Sequence, residues 1–388
     1  MKKLIIALLV PLAINSSIAE CHALSPSPIK IREARDVAPR DGFGGYDLAT
    51  NTGTIGGAKA NEKMIFMVNN KKDLLDAIAI NKNQPRIIQV SGIIDISEGK
   101  PYKDFDDQKS RSLIKIPSDT TLIGVGNNAG FINGSLMLSK VNNVIIRNLK
   151  IEAPIDVAPK FEEGDGWNAE WDGINIITST YVWIDHVTLT DGKFTDDMYQ
   201  EKDGWKYVQH DGLLDIKRGS DFITISYCLF ENHDKTMLIG HSDKNADQDE
   251  NKLNITLHHN VFLDITQRAP RVRFGKIHMY NNLFKGSVNK SKTVYPYQYS
   301  IGLGYKGSVL SENNQFMIDG LKDNCKVAKQ FKGDNLRDNN SLFNQSKLKL
   351  SSCGFVDNLI WSVPYQYSVD DIKQFSKNYG RLVGSGKL

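Results

Sequence analysis

Charge of one sign, cysteine and long apolar runs are all scarce in this chain. Its 48 Lys and Arg residues almost balance 45 Asp and Glu, leaving a formal charge of +3 over 388 residues. That balance excludes a strongly electrostatic nucleic-acid binder and a polyanionic tail. Four cysteines are too few for a disulfide-held scaffold. Beyond the N-terminus no apolar run approaches the roughly 20 residues that span a bilayer, so no membrane partner is expected. The zinc-peptidase pattern His-Glu-x-x-His and the hydrolase elbow Gly-x-Ser-x-Gly are both missing. What remains is a composition of 40% hydrophobic residues with 31 Gly and 12 Pro, neither disordered nor collagen-like.

Met1, Lys2 and Lys3 make a short basic region, Leu4 to Ile14 is apolar, and Asn15 to Ala19 is small and polar. This is the pattern of a secretory signal peptide, residues 1–19, too short for an anchor. Cleavage after Ala19 fits the small-x-small rule through Ser17, and an alternative after Ala23 would discard Cys21. The mature chain, 24–388, is expected to be a single secreted, monomeric domain. Export means an oxidising environment. Cys325 and Cys353, in a polar, loop-like C-terminal region, are therefore expected to pair, contributing about 3–4 kcal/mol on the loop-entropy account. Cys228 ends an alternating segment and reads as a buried thiol.

The middle of the chain repeats one kind of segment, a short β-branched run with period-2 alternation. Examples are Asn143-Val-Ile-Ile-Arg-Asn-Leu, Tyr181-Val-Trp-Ile-Asp-His-Val and Asp221-Phe-Ile-Thr-Ile-Ser-Tyr. Their ends align as Cys228-Leu-Phe, Asn260-Val-Phe, Asn282-Leu-Phe and Asn314-Gln-Phe, at spacings of 32, 22 and 32. A base period near 22 with loop insertions predicts an all-β fold, a right-handed parallel β-helix with long loops. Asparagines stacked at the strand spacing can hydrogen-bond their equivalents above and below. Tight hairpin signals between the runs are scarce, which argues against an antiparallel sandwich. Helical spacing from Asn70 to Ile80 predicts an amphipathic helix capping one end of the coil. Residues 320–388 lack the repeat and are expected to pack along the outside.

Asp172, Asp211 and Asp215 are the carboxylates to weigh for a metal, and Lys235, Arg268, Arg271 and Arg273 are their basic counterpart. In a regular strand Asp211 and Asp215 would stand about 13 Å apart, so sharing one ion requires a bend, which Gly212 can provide. Pro270 breaks the alternation that would say which of Arg268 and Arg273 faces a groove. Arg271 is expected to be structural. His258, His259 and His278 fall inside the repeated strands and read as core histidines. Trp167, Trp171 and Trp205 lie in glycine-containing loops, where they either close a loop onto the coil or line a sugar cleft.

The ordered stretches Trp183-Ile-Asp-His186, His210-Asp-Gly-Leu-Leu-Asp215, His233-Asp-Lys235 and Gln267-Arg-Ala-Pro-Arg-Val-Arg-Phe-Gly275 resemble the calcium-dependent pectate lyases of polysaccharide lyase family 1. Asp41-Gly-Phe-Gly-Gly45 and Pro364-Tyr-Gln-Tyr367 match the ends, so the resemblance covers roughly residues 40 to 385. It implies calcium at Asp172, Asp211 and Asp215, with Glu170 able to serve a second calcium. It also implies Arg268 as base, Lys235 and Arg273 on substrate carboxylates, and a structural Trp183-to-His186 motif. The implied reaction is β-elimination in α-1,4-linked polygalacturonate, giving 4,5-unsaturated products. An arginine base is demanding, because guanidinium is normally always protonated. Neighbouring positive charge must loosen its proton, and an alkaline activity optimum follows. The rival readings are a lyase for methyl-esterified pectin, a hydrolase with paired carboxylates, and a non-catalytic carbohydrate-binding β-helix.

Overall fold

The computed structural model describes residues 32–46, 53–80 and 83–388. The segment read as a signal peptide, with both cleavage points and Cys21, lies outside them. No described helix is long and apolar enough to cross a membrane.

Successive strands wind into a parallel coil, as the repeat predicts. One turn runs Leu214–Lys217, Asp221–Ser226 and Leu229–Lys235, and Leu238–Ile239 then begins the next beside the first strand. Eight such first strands, from Leu113–Lys115 to Ala328–Gln330, form one flat face; the others belong to an eighteen-stranded sheet that wraps the remaining sides. Like residues stack from coil to coil. Val182, Ile223, Ile255, Ile277, Val309 and Leu336 share one register column and are all buried. In another, the rings of Phe230, Phe262, Phe284 and Phe316 lie parallel at 4.9, 4.7 and 4.6 Å, the spacing of adjacent strands.

The corner before each phenylalanine is fixed by the asparagine ladder. The Asn260 side-chain oxygen accepts the Cys228 N–H at 2.9 Å, Asn282 accepts from Asn260 at 3.0 Å, and Asn314 accepts from Asn282 at 2.8 Å. Their amide nitrogens donate to the carbonyls of Ile225, Leu257 and Met279, so each buried side chain is satisfied on both sides. The ladder runs on at both ends with other chemistry: Ser341 Oγ accepts from Asn314, and Cys228 Sγ accepts the Val187 N–H.

Residues 320–388, expected outside the coil, therefore divide. Ala328–Gln330, Asn335–Asn339 and Leu342–Phe343 continue the parallel register, with Phe343 beneath Phe316. The repeat reads on as Ser341-Leu-Phe343, a serine replacing asparagine. Cys325, just before Ala328–Gln330, forms a disulfide with Cys353, beyond Phe343. The helix Ile372–Leu382 lays Ile372 and Phe375 against Val261 and Leu283 on the outside.

The helix Lys71–Ala79 closes the N-terminal end. Asn70 caps it by accepting the Asp73 N–H, and Leu74 and Ala77 enter the core. Its last carbonyls, those of Ala77, Ile78 and Ile80, accept from the buried Arg86 guanidinium. The Asp41-to-Gly45 segment lies flat on the coil, where the Phe43 and Gly44 N–H groups donate to Thr256 and Thr224. A Cβ on Gly42 would come within 2.4 Å of Thr224 Oγ1.

Replacing Asn282 by alanine removes the acceptor of the buried Asn260 N–H and the donor to Leu257. The expected loss is about 2–4 kcal/mol of unfolding free energy, read from the urea midpoint. A loss well under about 1 kcal/mol would mean that the ladder is energetically idle.

Candidate active site

On the flat face, the sequence-predicted residues fall at or beside four successive first strands. Asp172 precedes the strand Ile174–Ile177, and Asp211 precedes Leu214–Lys217, which carries Asp215. Lys235 ends Leu229–Lys235, and Arg268 precedes Arg271–Val272. The chain bends between Asp211 and Leu214, where the N–H groups of Leu213 and Leu214 both turn to the Thr236 carbonyl. Gly212 is required there for space. A Cβ would lie 2.6 Å from Asp215 Oδ1 and 2.8 Å from Asp172 Oδ1, and the Gly212 N–H itself donates to Asp172.

Asp172 and Asp215 are almost fully buried. Between them stands Lys217, its Nζ 3.1 Å from Asp172 Oδ2 and 3.0 Å from Asp215 Oδ2. Asn175 donates to Asp172, and the Leu238 N–H donates to Asp215. Burial pushes the Asp172 carboxyl well above the usual carboxylate range and the Asp215 charge adds to this, with Lys217 opposing. Burial works against the Lys217 ammonium, yet Asp172 and Asp215 outweigh it and raise its pKa. Two buried carboxylates sharing one ammonium leave a net negative charge in a poorly solvated place. Sequence reasoning missed Lys217, although its position two residues after Asp215 on one strand puts both on the same face.

Asp211 faces Lys235 at 3.3 Å instead, and Lys235 also donates to Asn168 at 3.0 Å. Consequently no three Asp, Glu, His or Cys side chains close around one point among the described residues. The chemistry nevertheless fits calcium. The donors are carboxylate oxygens throughout, the Lys217 ammonium already occupies a cation's position, and the Gly212 gap keeps space between Asp172 and Asp215. Glu170 stays apart, exposed and paired with Lys160.

The arginines have three environments. Arg273 donates from Nε to Asp243 at 2.8 Å and to the Gly240 carbonyl, and Lys332 reaches the same Asp243. Arg271 lays its guanidinium 4.0 Å from the Phe331 ring centroid, and burial lowers its pKa with help from Arg273 and Arg268. Arg268 sits at φ +59° with a buried, unpartnered Nε. Among the described residues no carboxylate forms a salt bridge with it.

Behind the site, one buried carboxylate ties several segments. Asp191 meets His233 Nδ1 at 2.5 Å and accepts from the Tyr295 hydroxyl at 2.6 Å. His210, the neighbour of Asp211, bonds the Pro154 and Phe194 carbonyls. Trp183, Asp185 and His186 are likewise internal. Asp185 accepts from Arg147 and Ser226, and Arg147 covers the Trp183 ring. Of the loop tryptophans, Trp171 stacks on Phe105, whereas Trp205 is exposed.

Buried carboxylates beside lysines and arginines on one face of a parallel β-helix suit an acidic ligand. A family model described as pectate lyase matches residues 28–384. Pectate lyase D of Dickeya chrysanthemi is 53% identical over 348 residues, 88% of each chain. A pectate lyase of Bacillus subtilis (strain 168) is 34% identical, over 90% of this chain and 92% of the relative. A solved pectate lyase bound to a hexasaccharide superposes with a TM-score of 0.84 at 32% identity, covering 92% of this chain and 99% of the other. The chain belongs to the pectate lyase family, and it is a polysaccharide lyase.

If these carboxylates hold calcium, Gly212→Ala is expected to weaken its binding and to lower activity at fixed calcium at least tenfold. Calcium titration calorimetry checks it, and wild-type affinity would remove the steric argument. The Asp191 pair gives a pH signature. Burial disfavours the His233 imidazolium, but Asp191 outweighs it and raises the ring to about 9. The stability this pair contributes is thus full below an unfolded histidine's pKa, about 6.5, and is lost as pH rises through about 9. A stability profile with the same slope there in wild type and His233→Gln contradicts this.

Proposed function

We propose that this pectate lyase cleaves α-1,4-linked polygalacturonate by calcium-assisted β-elimination with Arg268 as the base. Asp172, Asp211 and Asp215 would hold the calcium, Asp211 turning from Lys235 to do so. Bound there, calcium supplies positive charge against the uronate carboxylate, which makes the C5 proton more acidic. Arg268, its guanidinium having first released a proton to solvent, takes that C5 proton. The C4–O bond then breaks, its electron pair leaving with the glycosidic oxygen, and the double bond forms between C4 and C5. Lys235, freed from Asp211, and Arg273 hold the substrate carboxylate and stabilise the enolate as charge develops. Lys217 offsets part of the charge of the two buried carboxylates.

One observation carries the assignment of the base. Arg268 is the arginine of the triplet with neither a salt bridge to a carboxylate, as Arg273 has, nor an aromatic ring beneath it, as Arg271 has. No paired anion holds its proton in place. The carboxylates Asp172, Asp211 and Asp215 also speak against methyl-esterified pectin as the reacting unit, because a neutral ester gives calcium little to bind. The residue 1–19 pattern and the Cys325–Cys353 bond support export, and the protein is read as acting as a monomer.

Incubation with polygalacturonate and calcium is expected to produce the ultraviolet absorbance of a 4,5-unsaturated uronate. Arg268→Ala should reduce kcat about a thousandfold, within the range for loss of a general base. Equal turnover in excess chelator would sink the calcium assignment, and an unaltered rate in Arg268→Ala would sink the base.

A further inference from the structure

Two antiparallel hairpins project side by side near the carboxylates. Lys160–Glu162 pairs with Gly166–Asn168, Glu201–Lys202 pairs with Trp205–Lys206, and Trp167 bridges the two through Tyr207. Both are anchored to the groove. Asn168 accepts from Lys235, and Lys160 pairs with Glu170, two residues before Asp172. The inner aromatic is used up in holding them together: Lys202 lies 3.8 Å from the Trp167 ring centroid, and the Trp167 Nε1–H donates to the Lys202 carbonyl.

The outer aromatics are not used up. Phe161 and Trp205 are 46% and 43% exposed, in edge contact at 6.1 Å. The Trp205 ring lies over Gly166, where a Cβ would come within 2.7 Å of a ring carbon. This fixed pair of rings has the chemistry of a sugar platform, since the face of a pyranose is apolar. Around it the charge is wrong for a uronate. The hairpin lysines are already engaged, Lys160 with Glu170, Lys202 on the Trp167 ring and Lys206 with Asp196, whereas Glu162, Glu163 and Asp165 at one tip, and Glu201 and Asp203 at the other, are exposed and form no salt bridge among the described residues. A carboxylate on the substrate would meet a rim of its own sign.

We propose that the Phe161–Trp205 platform is an accessory subsite for an uncharged, methyl-esterified galacturonosyl unit, flanking the unesterified unit that reacts at Arg268. It rests on the lyase reading above and extends it. The groove requires a free carboxylate where the bond breaks, while the twin hairpins favour an ester farther along the same chain. Partly esterified pectin is thus the preferred polymer.

The test compares unesterified polygalacturonate with partly methyl-esterified pectin of matched length. In Phe161→Ala/Trp205→Ala, KM for the esterified polymer should rise about five- to tenfold, the size of a lost aromatic stack. KM for the unesterified polymer and both kcat values should stay within about twofold. Trp205→Phe should restore most of the loss. Neutralising the rim by Glu162→Gln/Glu163→Gln/Asp203→Asn should lower KM for the unesterified polymer alone, and only at low salt. A rise in KM that is equal on both polymers, or absent on both, overturns the proposal. Absence of unsaturated product from wild type on either polymer would instead refute the lyase reading. In that event saturable quenching of tryptophan fluorescence by an esterified oligogalacturonide, lost in Trp205→Ala, still supports the platform, and equal quenching by the unesterified oligomer overturns it.

Discussion

The rest of the structure depends on one corner, repeated coil after coil. A residue in the left-handed region, Tyr227, His259, Asn281, Asn313 or Asn340, turns the chain. The next residue takes a rung of the buried ladder: Cys228, Asn260, Asn282, Asn314 or Ser341. Left-handed backbone costs a non-glycine residue about 1–2 kcal/mol, so the corner needs the compensation that the ladder's hydrogen bonds supply. Because this corner is fixed, differences in coil length cannot be absorbed there. They appear elsewhere in the turn: after the third strand, as the long segments near residues 153–172, 191–212 and 288–300, and after a first strand, as residues 240–253. Those segments carry the twin hairpins, Asp211 and Tyr295. A packing rule on one edge therefore decides where functional loops can grow on another.

The second constraint is electrostatic. Carboxylates on the coils of Asp172 and Asp215 are buried together with a single ammonium between them. A polyuronate chain approaching them would be repelled unless the excess negative charge were cancelled. Lys217 and Lys235 cancel part of it in this structure, each bound to an aspartate. If Asp172, Asp211 and Asp215 hold a divalent cation as proposed, Asp211 would have to leave Lys235, and that lysine would then be free for the substrate. The overall charge of +3 conceals this arrangement, because opposite charges a few ångströms apart vanish in a sum while dominating the local field.

Much of this was legible in the sequence, for identifiable reasons. Ladder asparagines must recur in phase with the core phenylalanines, so three Asn-x-Phe triplets and Cys228-Leu-Phe announce the coil. The last turn escaped because Ser341 does the work of asparagine with a hydroxyl. The bend at Gly212 followed from strand geometry once Asp211 and Asp215 were asked to share one ion. The distribution of the arginines did not: Arg273 is held by Asp243, thirty residues earlier in the chain, and Arg271 by Phe331, far later. No local pattern encodes such partners. Lys217 was within reach of simple alternation, but a lysine two residues from a suspected metal ligand reads as surface until the burial of Asp172 and Asp215 is known.

Burial with satisfied partners also separates the motifs that build from the motifs that react. Trp183, Asp185 and His186 form as distinctive a signature as His210-Asp-Gly, yet their polar atoms point at Arg147, Ser226 and each other, away from the groove. His278, Thr256 and Tyr365 similarly bind one another where the Pro364-to-Tyr367 segment crosses the coil, and Glu312 completes that cluster. Burial works to raise the Glu312 carboxyl, but hydrogen bonds from His278, Tyr367 and Asn339 outweigh it and bring it down to about 2. A carboxylate so fully engaged has no capacity left for substrate. Arg268 is the contrary case: its backbone is in the left-handed region, its Nε, like that of Arg271, is unpartnered, and among the described residues no carboxylate forms a salt bridge with it. Such a group is costly to maintain in a folded chain, and the cost is intelligible if its partner arrives with the polysaccharide.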